Sequence, residues 1–580
     1  MRYTKNTYTK NEAISWPIPN YWDGLALVLV LGAIVFLVLG AGEMSGHFQL
    51  GQEIPISLNP IHLPYYALRS VMRMLTALIC SLLFTFTIGA LAAKNKRAER
   101  ILIPMIDILQ SVPVLGYLSF TAIFFIALFR GNMLGPECAC IFVIFTAQVW
   151  NMTLSFYQSL RTVPEDLKET AAIFHLSAWQ KFWRVEVPFA MPGLLWNTML
   201  SMSASWVFLV ASEAITVVNP NIMLPGIGSY IAVAIAHTDK IAILYAIATM
   251  LIVIFLYDQL LFRPSVAWGE KFKTEDNASE IVPKSWVLDL FQRADFFQFI
   301  GTSLSIFGDV FVNLKYFRRR QKTHVRHISF FRRRVMPILW NVVVYGAIAA
   351  ALVVLYRFIF STVTPSQTGQ VIYLGFITAM RVIAMIILSS IIWVPIGVWI
   401  GLSPRATQIV QPIAQFLAGF PVNLLFPVAA ILIVRYHLNV NVWTSPLMIL
   451  GTQWYVLFNV IAGTVALPNN LKMATSMFHV RGWLWWKRLI LPGIFPYYIT
   501  GVITAAGGAW NISILSEAVS WGSIQLHAVG LGAYITDVAQ KNNFPDLALG
   551  ITVMSLFVVL NNRLIWRPLY NLAENRFQIR

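Results

Sequence analysis

Three carboxylates, Asp107, Glu213 and Glu517, stand inside or at the edge of long apolar runs. An ionisable side chain is costly to bury in a membrane, so each is a candidate either to line a solute pathway or to brace the fold through hydrogen bonds. Glu213 and Glu517 share a context: each lies seven residues after a tryptophan (Trp206, Trp510) and precedes a G-x-G (Gly226 and Gly228; Gly530 and Gly532). For this pair, bracing by hydrogen bonding to a neighbouring loop is the favoured reading and lining of a pathway the alternative. Asp107 aligns with Gln415 in the second half of the chain, so its charge is not required twice.

Other chemistry is sparse. Cys80, Cys138 and Cys140 cannot form a disulfide framework, and Cys138 and Cys140, which flank a single alanine, would need two further ligands for a tetrahedral metal site. They read as small apolar residues of a membrane span. The nine histidines are scattered, His62 in one outer loop and His324 and His327 in a basic stretch. No metal-ligand cluster, no catalytic residue and no nucleophile–base arrangement stands out. A G-x-x-x-x-G-K-[ST] phosphate loop does not occur, so ATP is not bound by that route.

The elements that must position these residues are lipid-embedded. The 580 residues are 58% apolar and only 12% charged, with a mean hydropathy of +0.67. Soluble chains carry about 25% charged residues. Disorder is excluded by 39 Phe, 20 Trp and 20 Tyr. Residues 25–42 are uncharged throughout, roughly 27 Å of helix, preceded by a polar stretch and followed by no A-x-A-like site, so they are expected to remain as an anchor.

Apolar runs place spans at about 24–43, 70–92, 101–129, 134–157, 190–212 and 240–262, then 336–360, 376–402, 409–434, 442–466, 493–516 and 545–566. With the N-terminus inside, the cytoplasmic segments hold 34 of the 42 Lys and Arg residues. This is the bias expected of cytoplasmic loops. It puts both termini in the cytoplasm and accounts for the net charge of +17 without any nucleic acid. The one sizeable non-spanning region is a basic cytoplasmic linker, 265–335. Its stretch 286–317 mixes Asp289, Arg293, Asp295, Asp309 and Lys315 with clustered aromatics, as an amphipathic helix lying in the interface would. The cations from Arg318 to Arg334 would lie against anionic headgroups of membrane lipid.

The halves repeat each other. At a constant spacing of 304, Pro164, Lys168, Phe174, His175, Trp179, Arg184 and Pro188 meet Pro468, Lys472, Phe478, His479, Trp483, Arg488 and Pro492. The register runs on through Trp206/Trp510, Glu213/Glu517 and Gly228/Gly532 to Pro264/Pro568. Upstream the spacing is 308, as in Arg73/Arg381 and Pro113/Pro421. Shared Trp, His, Arg, Glu and Pro in one register indicate a duplication. The expected architecture is an all-α polytopic membrane protein of about 12 transmembrane helices in two parallel six-helix repeats, 1–264 and 336–580, around a common pathway.

Between the fourth and fifth spans of each half lies a cytoplasmic stretch more structured than a turn, 163–193 and 467–497. Pro164 with Glu165 and Asp166 opens a helix, and Leu167, Ala171 and Phe174 mark one apolar face too short to span. Such a helix is a natural plug for a socket on another protein.

These residues resemble the permease subunits of bacterial ABC importers. The signature loop of that family, E-A-A, three residues, G, nine residues, I-x-L-P, is matched by Glu169, Thr170 and Ala171, then His175, then Pro188. The second copy has Met473, Ala474 and Thr475, then His479, then Pro492. Pro104, Asp107, Gln110, Ser111 and Pro113, with Trp206, Glu213, Gly226 and Gly228, resemble the nitrate/sulfonate/taurine branch. The resemblance covers about 66–264 and 373–568. It implies a duplicated MetI-like permease fold in the bacterial inner membrane and import of a small, anionic solute of the nitrate, sulfonate, taurine or bicarbonate type. It also implies two ABC ATPase subunits on the cytoplasmic face, which carry the ATP and Mg while this chain binds no cofactor, and an extracytoplasmic substrate-binding protein. In the family the loop glutamate helps seat the loop in the ATPase. That role is carried onto Glu169, whereas Met473 departs from the pattern. His175 and His479 replace the family's glycine and read as helix-turn residues rather than as pH sensors or metal ligands. An ion-coupled secondary transporter, the main competing class, also shows six-plus-six repeats but needs no elaborate loop between spans four and five. A membrane-embedded enzyme or scaffold would need a reactive cluster.

Overall fold

The computed structural model describes residues 20–44, 55–110, 112–116, 118–214, 223–272, 285–313, 336–522 and 524–577. Almost all of this is helix. In chain order the first half gives α1 (Tyr21–Met44), α2 (Pro60–Lys94), α3 (Lys96–Leu109), α4 (Leu118–Leu128), α5 (Leu134–Arg161), α6 (Glu165–Ile173), α7 (Ala178–Ala214), α8 (Ile227–Ala236) and α9 (Lys240–Gly269). Two linker helices follow, α10 (Trp286–Arg293) and α11 (Asp295–Val312). The second half gives α12 (Met336–Ile359), α13 (Pro365–Leu402), α14 (Pro404–Ala418), α15 (Val422–Arg435), α16 (Val440–Leu450), α17 (Gln453–Val465), α18 (Asn469–Met477) and α19 (Gly482–Ser516). It closes with strands β1 (Ala518–Trp521) and β2 (Ile524–His527), α20 (Leu531–Gln540) and α21 (Phe544–Ala573).

Seven of these helices, α2, α5, α7, α9, α13, α19 and α21, are long and apolar enough to cross a membrane, or up to nine among the described residues if each of two bent pairs counts once. Several expected spans are corrected. The run 101–129 is two helices, α3 and α4, because the chain leaves the helix after Leu109 and turns through Pro113. The run 409–434 bends by 76° between α14 and α15, and 442–466 by 45° between α16 and α17. The linker stretch 286–317 is likewise two helices parted at Ala294 within 286–312, and Lys315 and the cations from Arg318 to Arg334 lie outside the described residues. Among the described residues the all-α expectation fails at one point, the antiparallel hairpin in which Ala518 pairs with His527 and Trp521 with Ile524.

Helix boundaries recur at the spacings the sequence shows. α6 and α18 begin 304 residues apart and end 304 apart, as do α8 and α20. Asn95 Oδ1 caps α3 by accepting from Arg97 N–H (3.0 Å), and Ser403 Oγ, 308 residues on, caps α14 by accepting from Ala406 N–H (3.3 Å). Widened i→i+5 turns interrupt α7 at Phe182–Glu186, α9 at Asp258–Phe262, α19 at Trp486–Ile490 and α21 at Asn562–Trp566. Each ends two residues before a proline (Pro188, Pro264, Pro492, Pro568). Proline removes one helical donor and its ring crowds the carbonyl four residues back, so a wider turn there lets the helix run on.

The described residues form two compact units. One comprises 20–42, 158–196 and 256–313. In it Asp23 Oδ1 accepts from Phe296 N–H (3.0 Å), and Asn20 Nδ2 donates to Arg293 O (2.9 Å), which ties α1 to the linker helices. The other unit holds the rest and contains the packing of the two halves on each other. Val114 N–H, in the loop after α3, donates to Asn511 Oδ1 on α19 (2.7 Å). Asn423 Nδ2, in the corresponding loop of the second half, donates to Val207 O on α7 (3.2 Å). Val207, Val422, Phe426, Ala430, Leu447, Ile512 and Val519 bury one cluster around this exchange.

In a variant freed of Cys80, Cys138 and Cys140, with a protease site inserted within 273–284, Val114→Cys with Asn511→Cys should be joined by a short bis-thiol reagent. The cleaved halves should then migrate together on a denaturing gel, and separate migration would contradict this packing.

Candidate functional site

The site is built from two kinds of repeated part, a short helix–turn outside the spans and a carboxylate buried inside them. α6 starts after Pro164, with Glu165 and Asp166 in its first turn. Glu165 accepts from Lys168 Nζ at 2.8 Å, and that hydrogen bond and charge hold its carboxyl below the usual carboxylate range. Ala171 is buried on the inner face, while Glu169, Thr170, Ile173 and Phe174 are exposed. Thr170 Oγ1 is turned back onto Asp166 O. In α18 Met473 is exposed and Ala474 half-buried, and partial burial pushes the Lys472 ammonium down from its ordinary range.

Both short helices stop in the same way. Leu176 N–H reaches Ala171 O and His175 N–H reaches Ala172 O; Val480 N–H reaches Thr475 O and His479 N–H reaches Ser476 O. These crossed bonds require a left-handed residue, and His175 and His479 adopt φ of 52° and 51°. Glycine takes that conformation freely, which explains why a glycine can stand there in the family loop. The turn leads to Pro188 and Pro492, both half-buried after the widened turns of α7 and α19.

The second part sits where α7 and α19 end. Glu213 is buried and each of its oxygens is engaged. Oε1 accepts from Ser70 Oγ (2.7 Å) and Arg73 Nη1 (2.6 Å), and Oε2 from Gly228 N–H (2.9 Å) at the start of α8. Ser70 Oγ in turn accepts from Ile227 N–H (3.1 Å). A helix N-terminus presents unpaired N–H groups and positive potential, so the carboxylate caps α8 while pairing with α2. A Cβ on Gly226 would collide with the Glu213 carboxylate, and one on Gly228 with the Val210 carbonyl.

The second half repeats this part for part. Glu517 Oε1 accepts from Thr378 Oγ1 (2.8 Å) and Arg381 Nη1 (3.1 Å), and Oε2 from Gly532 N–H (2.7 Å). Leu531 N–H donates to Thr378 Oγ1 at 2.9 Å, and Gly530 leaves the same room for the carboxylate. The partners of each glutamate come from its own half. Trp206 and Trp510 are fully buried close by in sequence, Trp510 stacked on Phe557. The Asp107 side chain and Ser111 lie outside the described residues.

Sequence reasoning missed the rest of the first network. Glu137, in the first turn of α5, bonds Arg69 Nη2 (2.6 Å) and Arg73 Nε (2.6 Å), so two arginines and two glutamates interlock. At the corresponding places of the second half Glu137 becomes Asn441 and Arg69 becomes Ile377. Asn441 Oδ1 accepts from Arg381 Nη2 (3.2 Å) and from Val529 N–H (2.7 Å). One acid and one base are exchanged together, so each half stays balanced. The available signal was Arg69 and Arg73 one helical turn apart, facing an acid that opens an otherwise apolar run. Among the described residues no group of three His, Cys, Asp or Glu could hold a metal.

Residues 85–262 match the family described as binding-protein-dependent transport system inner membrane component. The bicarbonate transport system permease protein CmpB of Synechococcus elongatus is 25% identical over 179 residues, 31% of this chain and 61% of that protein. The nitrate import permease protein NrtB of Synechocystis is 25% identical over 197 residues, 33% of this chain and 69% of the relative. The taurine transport system permease protein TauC of Escherichia coli is 27% identical over 190 residues, 33% and 64% of the two chains. The chain thus spans about three fifths of the bicarbonate permease it matches.

Two outcomes test the geometry. Arg69→Ile or Glu137→Asn alone strands a buried charge and should cost about 3–5 kcal/mol, whereas the pair together should cost far less; thermal unfolding midpoints in detergent that fall additively would refute the coupling. His479→Gly should raise the midpoint by the equivalent of about 1 kcal/mol and His479→Val should lower it.

Proposed function

We propose, on the premise that this chain belongs to the inner-membrane permease family of ABC importers, in the branch of the bicarbonate, nitrate and taurine permeases, that it is a fused double permease forming a complete translocation pathway. It is a multi-pass membrane protein and a transport subunit rather than an enzyme. In this reading twelve crossings form two parallel six-helix repeats, 1–264 and 336–580, joined by the 265–335 linker, with both termini cytoplasmic. The recurrence of helix boundaries at a spacing of 304 supports the duplication.

The observation that carries the reading is the pair of short helices, α6 and α18, each closed by the same left-handed histidine turn and each leading into a long apolar helix. A rigid helix–turn of this kind can pass a push from a nucleotide-driven subunit into a span. Two ABC ATPase subunits would bind there, holding ATP and Mg, and an extracytoplasmic binding protein would deliver the solute. Glu169, Thr170, Ala171, His175, Pro188, Met473, Ala474, His479 and Pro492 form the coupling loops. Glu213 and Glu517, with Trp206 and Trp510, brace the ends of α7 and α19. Their saturation by neighbouring donors supports bracing and leaves a small anion as cargo unopposed.

The test is uptake by proteoliposomes holding this chain, its ATPase subunits and its binding protein. ATP-dependent accumulation of bicarbonate, nitrate or taurine is expected, and uptake driven by a proton gradient alone would install the secondary-transporter reading instead. In the same vesicles Glu169→Ala should depress substrate-stimulated ATP hydrolysis more than Met473→Ala, and equal losses would count against unequal loops.

A further inference from the structure

The two coupling loops share a backbone but not a chemistry. Residues 163–188 carry four acids (Glu165, Asp166, Glu169, Glu186) and three bases (Lys168, Lys181, Arg184), a net charge of −1. Residues 467–492 carry no acid and four bases (Lys472, Arg481, Lys487, Arg488), a net charge of +4. The difference is concentrated on the exposed surface. α6 presents Glu165, Asp166 and Glu169 to the outside, and the corresponding positions of α18 are Asn469, Asn470 and Met473.

The contrast continues in apolar area. On the first loop Ile173 and Phe174 are exposed. On the second, Met477, Phe478, Trp483 and Leu484 are exposed along with Met473, and Met477 and Phe478 keep 80% and 81% of their surface. The loops are also supported differently. Ser177 and Gln180 close a reciprocal capping box on the first, where the second has Arg481 and no side-chain cap. Gln180 Nε2 donates to Asn313 Oδ1 (2.9 Å) and Arg184 Nη2 pairs with Asp309 Oδ1 (3.1 Å), so the end of α11 answers one of the first loop's cations. Arg488, which corresponds to Arg184, is exposed as Arg184 is.

A socket lined with cations attracts α6 and repels the second loop; a socket rimmed with acids does the reverse. One socket used twice, as in a pair of identical motor subunits, would be mismatched on one side, and charges of like sign facing each other reject a partner effectively. We propose that the two loops dock on two different ATPase polypeptides: α6 in a cleft lined by lysine or arginine, and α18 in a broader apolar cleft with an acidic rim. This rests on the permease reading and adds the identity and chemistry of the partners.

The experiment uses the full chain, tagged and carrying a photo-crosslinking benzoyl-phenylalanine in place of Phe174 or of Phe478, purified from its own membranes after irradiation. Crosslinked peptides are identified by mass spectrometry. Two different Walker A-bearing polypeptides are expected, with basic residues around the peptide reached from position 174 and acidic ones around that from 478. The same polypeptide at both positions would overturn the proposal while leaving the permease reading intact. Capture of no nucleotide-binding polypeptide at either position would overturn both. As a second reading, Glu165→Lys with Asp166→Lys and Glu169→Lys should cut the position-174 yield about tenfold and leave the position-478 yield unchanged, and equal losses at both positions would contradict separate sockets.

Discussion

A carboxylate withdrawn from water must be met by donors at nearly every lone pair, and much of this architecture follows from meeting that demand twice. Glu213 and Glu517 end their long helices without access to solvent. The donors come from two elements in each half: a hydroxyl and a guanidinium on α2 or α13, and backbone N–H at the start of α8 or α20. In a medium of low dielectric these bonds are strong when complete and expensive when broken. The carboxylate therefore fixes the angle and register of three elements at once. The glycines at 226 and 530 exist to leave it room, since their backbones are extended and place no demand on φ.

The two halves show that what is preserved in such a site is balance rather than any particular residue. The first half uses two arginines and two glutamates, the second one of each with an asparagine supplying the remaining acceptor. Losing Arg69 without Glu137 would strand a negative charge; losing Glu137 without Arg69 would strand a positive one. Their joint replacement by Ile377 and Asn441 leaves each half neutral at its core. The same economy is visible in the helix breaks, where a widened turn precedes each of four prolines so that long helices survive residues that ordinarily end them.

Outside the apolar spans the constraint relaxes and the copies diverge. The left-handed histidine that closes α6 and α18 is shared because the crossed hydrogen bonds need that conformation. The exposed faces are not shared, since water solvates acids, amides or thioethers at little cost to the fold. Geometry common to both loops with unlike surfaces is what a twinned machine would show if its two arms had to push in the same way on different neighbours.

By itself the sequence determined that the chain is rich in membrane-capable apolar runs, that residue types recur at spacings of 304 and 308, where the first loop helix opens, and that Glu213 and Glu517 hold matching places in that register. These are carried by local hydropathy, by proline and capping residues, and by identity of residue type in one register, all of which act over short stretches of chain. The tertiary structure alone decided that the runs 101–129, 409–434 and 442–466 are broken, because an apolar run does not reveal where its backbone turns once neighbours supply the burial. It alone paired Glu137 with Arg69 and Arg73, and Asn511 with the loop at Val114, because these partners are 64 to 397 residues apart in sequence. A buried charge chooses its partner by distance in space, and no periodicity along the chain encodes that distance.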